Sequence, residues 1–263
     1  MHFRRFLQLA AVFAGASVSA QMEYRINFLI NIVGSLLTAG GALFGLLILT
    51  SDGQPIGGWS YREATVVVGL FTLVQGFIGC FLQPNLNKIA ETVRLGTMDF
   101  TLLKPIDAQF YVSTRNVNVF RLVDVCVGLI VITWAVSGLP GVTLFGLVVG
   151  ALLVMAALTM VYAVWFMLAT TAFWFVKVEN ATELFLGLFR AGQFPVTALP
   201  GWVRFFFTFV IPVAFITTVP AEAIVGRLVP TNVLVALVVA AVLLLLSRWF
   251  WFFAIRNYTS ASS

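Results

Sequence analysis

Five stretches of about twenty residues or more, 26–49, 63–83, 119–139, 143–175 and 231–253, are apolar on every side of a helical turn. A soluble helix keeps one polar face, whereas an all-round apolar run is buried in a large core or in lipid. A hydrocarbon core about 30 Å thick takes roughly 20 residues at the helical rise, and its backbone groups must be satisfied within the segment. The predicted fold class is therefore an all-α membrane protein, one transmembrane domain over residues 1–263. Composition agrees: 61% of residues are hydrophobic and 10% charged, against about 45–50% and about 25% in soluble domains.

The region 180–227 is apolar but interrupted by Pro195, Pro200, Pro212 and Pro220, and proline inside a helical pattern breaks or kinks it. Hydropathy alone would place a fifth span at 202–219. Orientation follows from Lys and Arg, which favour the cytoplasmic side. With the amino end inside, Arg4, Arg5, Arg25, Lys88, Arg94, Lys104, Arg115, Arg121, Lys177, Arg248 and Arg256 all fall on that side. Residues 1–25 are expected to form an interfacial helix with Phe3, Phe6, Leu7, Ala10 and Phe13 toward lipid. The same start has features of a cleaved signal peptide, but cleavage would invert the charge bias.

Several chemistries are excluded by residue type. The single histidine is His2, so no Ser-His-Asp, Cys-His or multi-histidine metal site can be assembled within the chain. Cys80 and Cys126 lie in apolar spans and read as small hydrophobes. Lys88, Lys104 and Lys177 are followed by Ile, Pro and Val and none is preceded by Gly, so the phosphate-binding pattern G-x-x-x-x-G-K-[ST] is missing. The chain is expected to be no enzyme by itself and to carry no cofactor or metal. Its net charge of +5 sits where membrane topology puts it and calls for no nucleic acid.

The polar segment 84–118 stands out. Pro84 can open a helix and Gly96 can close it; Leu86, Ile89, Ala90 and Val93 recur at helical spacing between them. Phe100, Leu102 and Leu103 follow, then Lys104-Pro105, and Asp107 is placed to cap the next helix. The pattern fits either a helix lying on lipid headgroups or a partner-docking element. With the fifth span at 202–219, residues 179–199 and Arg190 lie in the cytoplasm; were 180–199 a span instead, Arg190 would cost at least about 2.5 kcal/mol at a helix centre unless it found a partner or an aqueous cavity. Arg190 and Gln193 are candidates for a polar pathway, with pairing of Arg190 to Glu183 as the alternative. Asp124, a third candidate, is expected to pair with Arg121 at i, i+3. Gly41 with Gly45, and Gly146 with Gly150, permit close helix approach. Trp59, Tyr61 and the aromatic run after Arg248 suit interface anchoring.

The segment "VRLGTMDFTLLKPIDAQF" resembles the cytoplasmic signature of bacterial ABC type 2 transporter permeases, Gly-Thr-x-Asp-x-x-Leu-Leu-Lys-Pro. "QMEYRINFLINIVGSLL", "FPVTALPGWVRFFFTFVIPVAFITTVPAEAIVGR" and the ending "RNYTSASS" resemble other parts of the same family. The resemblance implies an exporter subunit of the bacterial inner membrane, both termini cytoplasmic, with six spans per chain. It places spans 1–2 at 26–83, a coupling region at 84–118, spans 3–4 at 119–175, span 5 at 180–199, a re-entrant hairpin at 200–230 and span 6 at 231–253. Two ABC ATPase subunits, which bind the ATP and Mg, and a second permease, expected to be a different homologous chain and otherwise an identical copy, are the implied partners beside the bilayer. Leu86, Ile89 and Val93 would then form the apolar docking face, with Arg94, Gly96, Asp99, Leu103, Lys104 and Pro105 as contacts or loop-shaping residues. A secondary transporter and a noncatalytic scaffold are the competing classes.

Overall fold

Backbone hydrogen bonds close almost entirely within helices, as a lipid solvent requires. The computed structural model describes residues 2–21, 25–51, 53–175, 179–210 and 213–258, and among them there is no β-strand. The first half holds α1 (His2–Gln21), α2 (Arg25–Leu49), α3 (Tyr61–Arg94), α4 (Met98–Leu102), α5 (Ala108–Thr114) and α6 (Leu122–Ser137). The second holds α7 (Leu144–Thr170), α8 (Glu179–Phe189), α9 (Gly201–Phe205), α10 (Val213–Ile216), α11 (Thr218–Ile224) and α12 (Pro230–Arg256).

Among the described residues five helices, α2, α3, α6, α7 and α12, are long and apolar enough to cross a membrane. A sixth crossing is added only if Gly201–Thr208 and Val213–Ile224, bent by 65°, count as one broken span. Over the stretch where a fifth span was expected, 180–199, the described residues form α8, 11 residues long and continued by a 3-10 turn at Arg190–Gln193. That is short of the roughly 20 residues a crossing needs. Of the prolines expected to break this region, Pro195 and Pro200 each precede a new short helical element, Pro220 sits in the first turn of α11 without breaking it, and Pro212 lies outside the described residues.

Span two departs most from expectation. Pro84 does not start a separate helix; α3 continues through it for 34 residues, about 51 Å at the helical rise. Proline has no N–H for the carbonyl four residues back and its ring crowds that carbonyl, and the helix answers with a π turn at Ile78–Leu82. The carbonyl that Pro84 leaves without its helical donor belongs to Cys80, and the Asn118 N–H occupies it at 2.8 Å. Asn85, 1% exposed, reinforces the junction: its amide donates to the Asn116 carbonyl at 2.7 Å and accepts the Asn116 N–H at 2.8 Å. The polar loop before α6 is thus pinned to span two.

The central spans are α3 and α7. Of the most apolar stretch of each helix, 72% is buried in α3 and 50% in α7, against 22% in α2 and 17% in α6 and α12, so the last three offer most of their surface to lipid or a partner. Glycines bring α3 and α6 together. A Cβ at Gly128 would lie 2.6 Å from the Leu73 backbone nitrogen, and one at Gly76 2.6 Å from that of Val125. Gly128→Val is expected to cost about 1–3 kcal/mol through overpacking, read as a lower aggregation temperature of the detergent-purified chain. Gly146 and Gly150 pack within the chain, against α11 at Ala223, Pro220 and Ile224, whereas Gly41 and Gly45 face open space.

At the end of the bundle opposite the polar loop, Ser60 and Glu63 form a capping box. Glu63 also pairs with Arg227 at 2.6 Å, and the Trp59 indole N–H donates to Thr197 at 2.8 Å. Trp59 is 2% exposed, so it is a core residue rather than the interface anchor expected of it. Helix α1 is tied to the polar loop through Gln21, which accepts the Val119 N–H at 2.9 Å. Phe13, expected toward lipid, is half-buried edge-on to Tyr111 at 5.8 Å. The side chains of Phe3, Phe6, Leu7 and Ala10 lie outside the described residues.

Candidate functional site

The polar segment exposes different apolar residues from those its periodicity suggested. Leu86 and Ile89 are each 1% exposed and belong to the main core, and Val93 is half-buried against it. They cannot also form a free apolar surface, which corrects their assignment as the docking face. The reason is continuity: because α3 does not break at Pro84, they extend the buried stripe of Val74, Ile78 and Leu82 into the helix end. Gly96 closes that helix as expected, at φ +68°, with its N–H on the Val93 carbonyl at 3.1 Å. This left-handed position suits glycine.

What remains exposed is Leu95, Phe100 and Leu103, at 62%, 70% and 81%. Arg94, Lys104 and Pro105 are exposed beside them. In the short helix α4, Met98 and Thr101 turn inward, buried, while Phe100 turns out. Asp99 is half-buried, and burial together with the Asp99 carboxylate pushes the Tyr258 phenol upward. The Lys104 ammonium lies 4.1 Å from the Tyr111 ring centroid and donates to the Tyr111 hydroxyl at 2.6 Å, fixing the base of the patch.

Asp107 caps α5, accepting the Phe110 N–H at 2.9 Å. It also forms a bidentate ion pair with Arg248 on α12. The guanidinium, with that cap, holds the Asp107 carboxyl below its usual range against the opposing effect of burial. Arg248 donates further to Gln109 at 3.0 Å, and Gln109 to Tyr162 on α7 at 3.1 Å. Arg248 was read as marking a cytoplasmic end; its role as the tie between the loop, α12 and α7 has no local signal, because the partners are separated by |i−j| of 139 and more.

The three pathway candidates do converge. Arg190, Gln193 and Asp124 all line a cavity of about 710 Å³ bounded by α2, α3, the start of α6 and α8. Asp124 makes its expected pair with Arg121, at 3.3 Å. Arg190 does not pair with Glu183, although both line the cavity: among the described residues the ion pairs are Arg121–Asp124, Arg227–Glu63 and Arg248–Asp107. The opposite wall carries Thr72, Gln75 and Gln83 of α3, polar residues on one face of an otherwise apolar run that sequence reading passed over. Among the described residues no cluster of His, Cys, Asp and Glu could hold a metal ion.

No curated protein and no solved structure matches this chain. A family model described as "ABC-2 family transporter protein" matches residues 36–262, which takes in the later half of α2, all of α3, α6, α7 and α12, the polar loop, and every cavity-lining residue except Gly34 and Ser35. The multi-pass helical body and this match over most of the chain lead to one conclusion: the chain belongs to the ABC-2 transporter family, as a membrane permease of the ABC type.

Proposed function

We propose that the chain is the permease subunit of an ATP-driven exporter, levered by a separate ATPase that docks on the patch formed by Leu95, Phe100 and Leu103. The observation that carries this reading is the exposure of those three large apolar side chains, ringed by Arg94 and Lys104, on a loop outside the spans. Exposed apolar groups with a charged rim are the usual anatomy of a protein interface. ATP and Mg²⁺ bind the partner; the chain itself performs no chemistry. In this reading the loop faces the cytoplasm, as the Lys and Arg bias favours, and the membrane is the bacterial inner membrane that the family resemblance implies.

The geometry suits force transmission. The patch caps a helix continuous with span two, and the π turn at Ile78–Leu82 gives that helix a place to flex. The Asp107–Arg248 pair carries displacement to α12, and Gln109 with Tyr162 carries it to α7. An ATPase can shift the spans only by as much as it binds their two arrangements differently, so a firm attachment to several helices is required. A second permease meets the open face of α2, where Gly41 and Gly45 have nothing against them, and the 710 Å³ cavity contributes to the pathway. Purification of the tagged chain in mild detergent, with mass spectrometry of what accompanies it, tests the reading: an ABC ATPase and a second permease are expected, and a chain that purifies from its native membrane without an ATPase contradicts it.

A further inference from the structure

We infer that the 710 Å³ cavity takes a zwitterionic amphiphile, its anionic group at Arg190 and its cationic group at Glu183; this rests on the permease reading above. Four charged side chains line the cavity: Arg121, Asp124, Glu183 and Arg190. The first two neutralise each other at 3.3 Å. Glu183 and Arg190 have no ion pair among the described residues, and both side chains are exposed to the cavity. They stand seven residues apart on one helical face, about 10 Å along the axis, too far for the i, i+4 pairing that would satisfy them locally.

Depth sharpens the argument. Phe189 stacks on Phe71 at 5.5 Å between ring centroids, which sets neighbouring Arg190 level with the middle of span two. A lone charge at that depth calls for a counter-charge or water. A ligand with one charge would neutralise Arg190 or Glu183 and leave the other unmatched beside a desolvated body; a ligand with both leaves neither. Phe71, Ile78 and Leu186 supply an apolar wall for the rest of the molecule, and Gln75, Gln83 and Gln193 supply amides. The volume lies within the range of about 300–1,000 Å³ usual for small-molecule sites.

The test is equilibrium binding to the purified full chain in phosphatidylglycerol nanodiscs, so that the bilayer supplies no zwitterion. The labelled probes are dodecylphosphocholine, dodecyl phosphate and dodecyltrimethylammonium, with tail-free glycerophosphocholine as a fourth. Dodecylphosphocholine is expected to bind at least about tenfold more tightly than either singly charged probe. Glu183→Gln should weaken it while sparing dodecyl phosphate, and Arg190→Gln should weaken it while sparing dodecyltrimethylammonium. The exchange of both, Glu183→Arg with Arg190→Glu, should retain the preference, because a zwitterion can turn round. Binding of only the tailed zwitterion supports the inference, whereas binding of glycerophosphocholine at similar strength shows that the tail contributes nothing and overturns the assignment of an amphiphile. Equal binding of all three tailed probes, or indifference to Glu183→Gln, overturns the inference. Since no ATPase enters this assay, failure here leaves the permease reading standing, and absence of an ATPase from the native complex leaves this result standing.

Discussion

Exchanging Leu95, Phe100 and Leu103 together for Asp strips the chain of its ATPase while leaving the transmembrane body folded. Each side chain is more than half exposed, so its replacement removes little from the core. On docking, each would bury apolar surface worth about 1.5–3 kcal/mol. Losing three should therefore weaken the complex by at least about 4 kcal/mol, roughly a thousandfold in affinity. Copurification and size-exclusion chromatography of the variant measure this directly. Leu86→Asp and Ile89→Asp form the contrast. Those side chains are 1% exposed, and an unpaired charge in their place costs several kcal/mol of folding stability, so the chain itself should fail to accumulate. A triple variant that keeps its ATPase would show that the docking surface lies elsewhere.

The second large effect is expected at the Asp107–Arg248 pair. The two side chains are 27% and 41% exposed, and a pair that accessible to water contributes only about 0–1 kcal/mol to stability. Asp107→Ala also gives up the α5 cap, about 1 kcal/mol, so both it and Arg248→Ala should still fold and bind the ATPase, yet the loop would no longer hold α12. Spin labels at the exposed positions Thr97 and Asn257 report the tie in the purified complex. In the native chain their separation should stay narrowly distributed when ATP is added. In either Ala variant it should broaden or shift by about 5 Å, one helical turn. Arg248→Lys keeps the charge but loses the two-pronged geometry and should fall between. Exchanging the charges, Asp107→Arg with Arg248→Asp, should narrow the distribution again; if it stays narrow in the Ala variants, the pair carries no displacement.

The long spans were legible because lipid leaves a chain so few options. Once a run is apolar all round and long enough, helix is the only economical outcome, and α2, α6, α7 and α12 fall close to their expected limits. Local chemistry was equally readable where its partners are near in sequence: Gly96 ends a helix, Asp107 caps one and Asp124 meets Arg121. Leu86, Ile89 and Val93 were expected on a free surface because their spacing states that a helix has an apolar side, not what covers it. Deciding that required knowing that the helix runs unbroken through Pro84, which depends on Asn118, 34 positions later, taking the Cys80 carbonyl. Arg190 and Asp124 could each be suspected from the expense of charge in a membrane, but their meeting in one cavity is a property of packing between distant helices. Trp59 was misjudged for the same reason, since Thr197 and Arg227 lie far along the chain.

Accessibility of Phe100 tests the central claim most directly. In a chain carrying Phe100→Cys, with Cys126→Ser to remove the native exposed thiol and Cys80 left buried, a membrane-impermeant maleimide should label only inside-out vesicles, and the bound ATPase should block even that. Labelling of intact cells at Phe100→Cys would put the patch on the outer face, beyond the reach of any cytoplasmic ATPase, and would contradict the account.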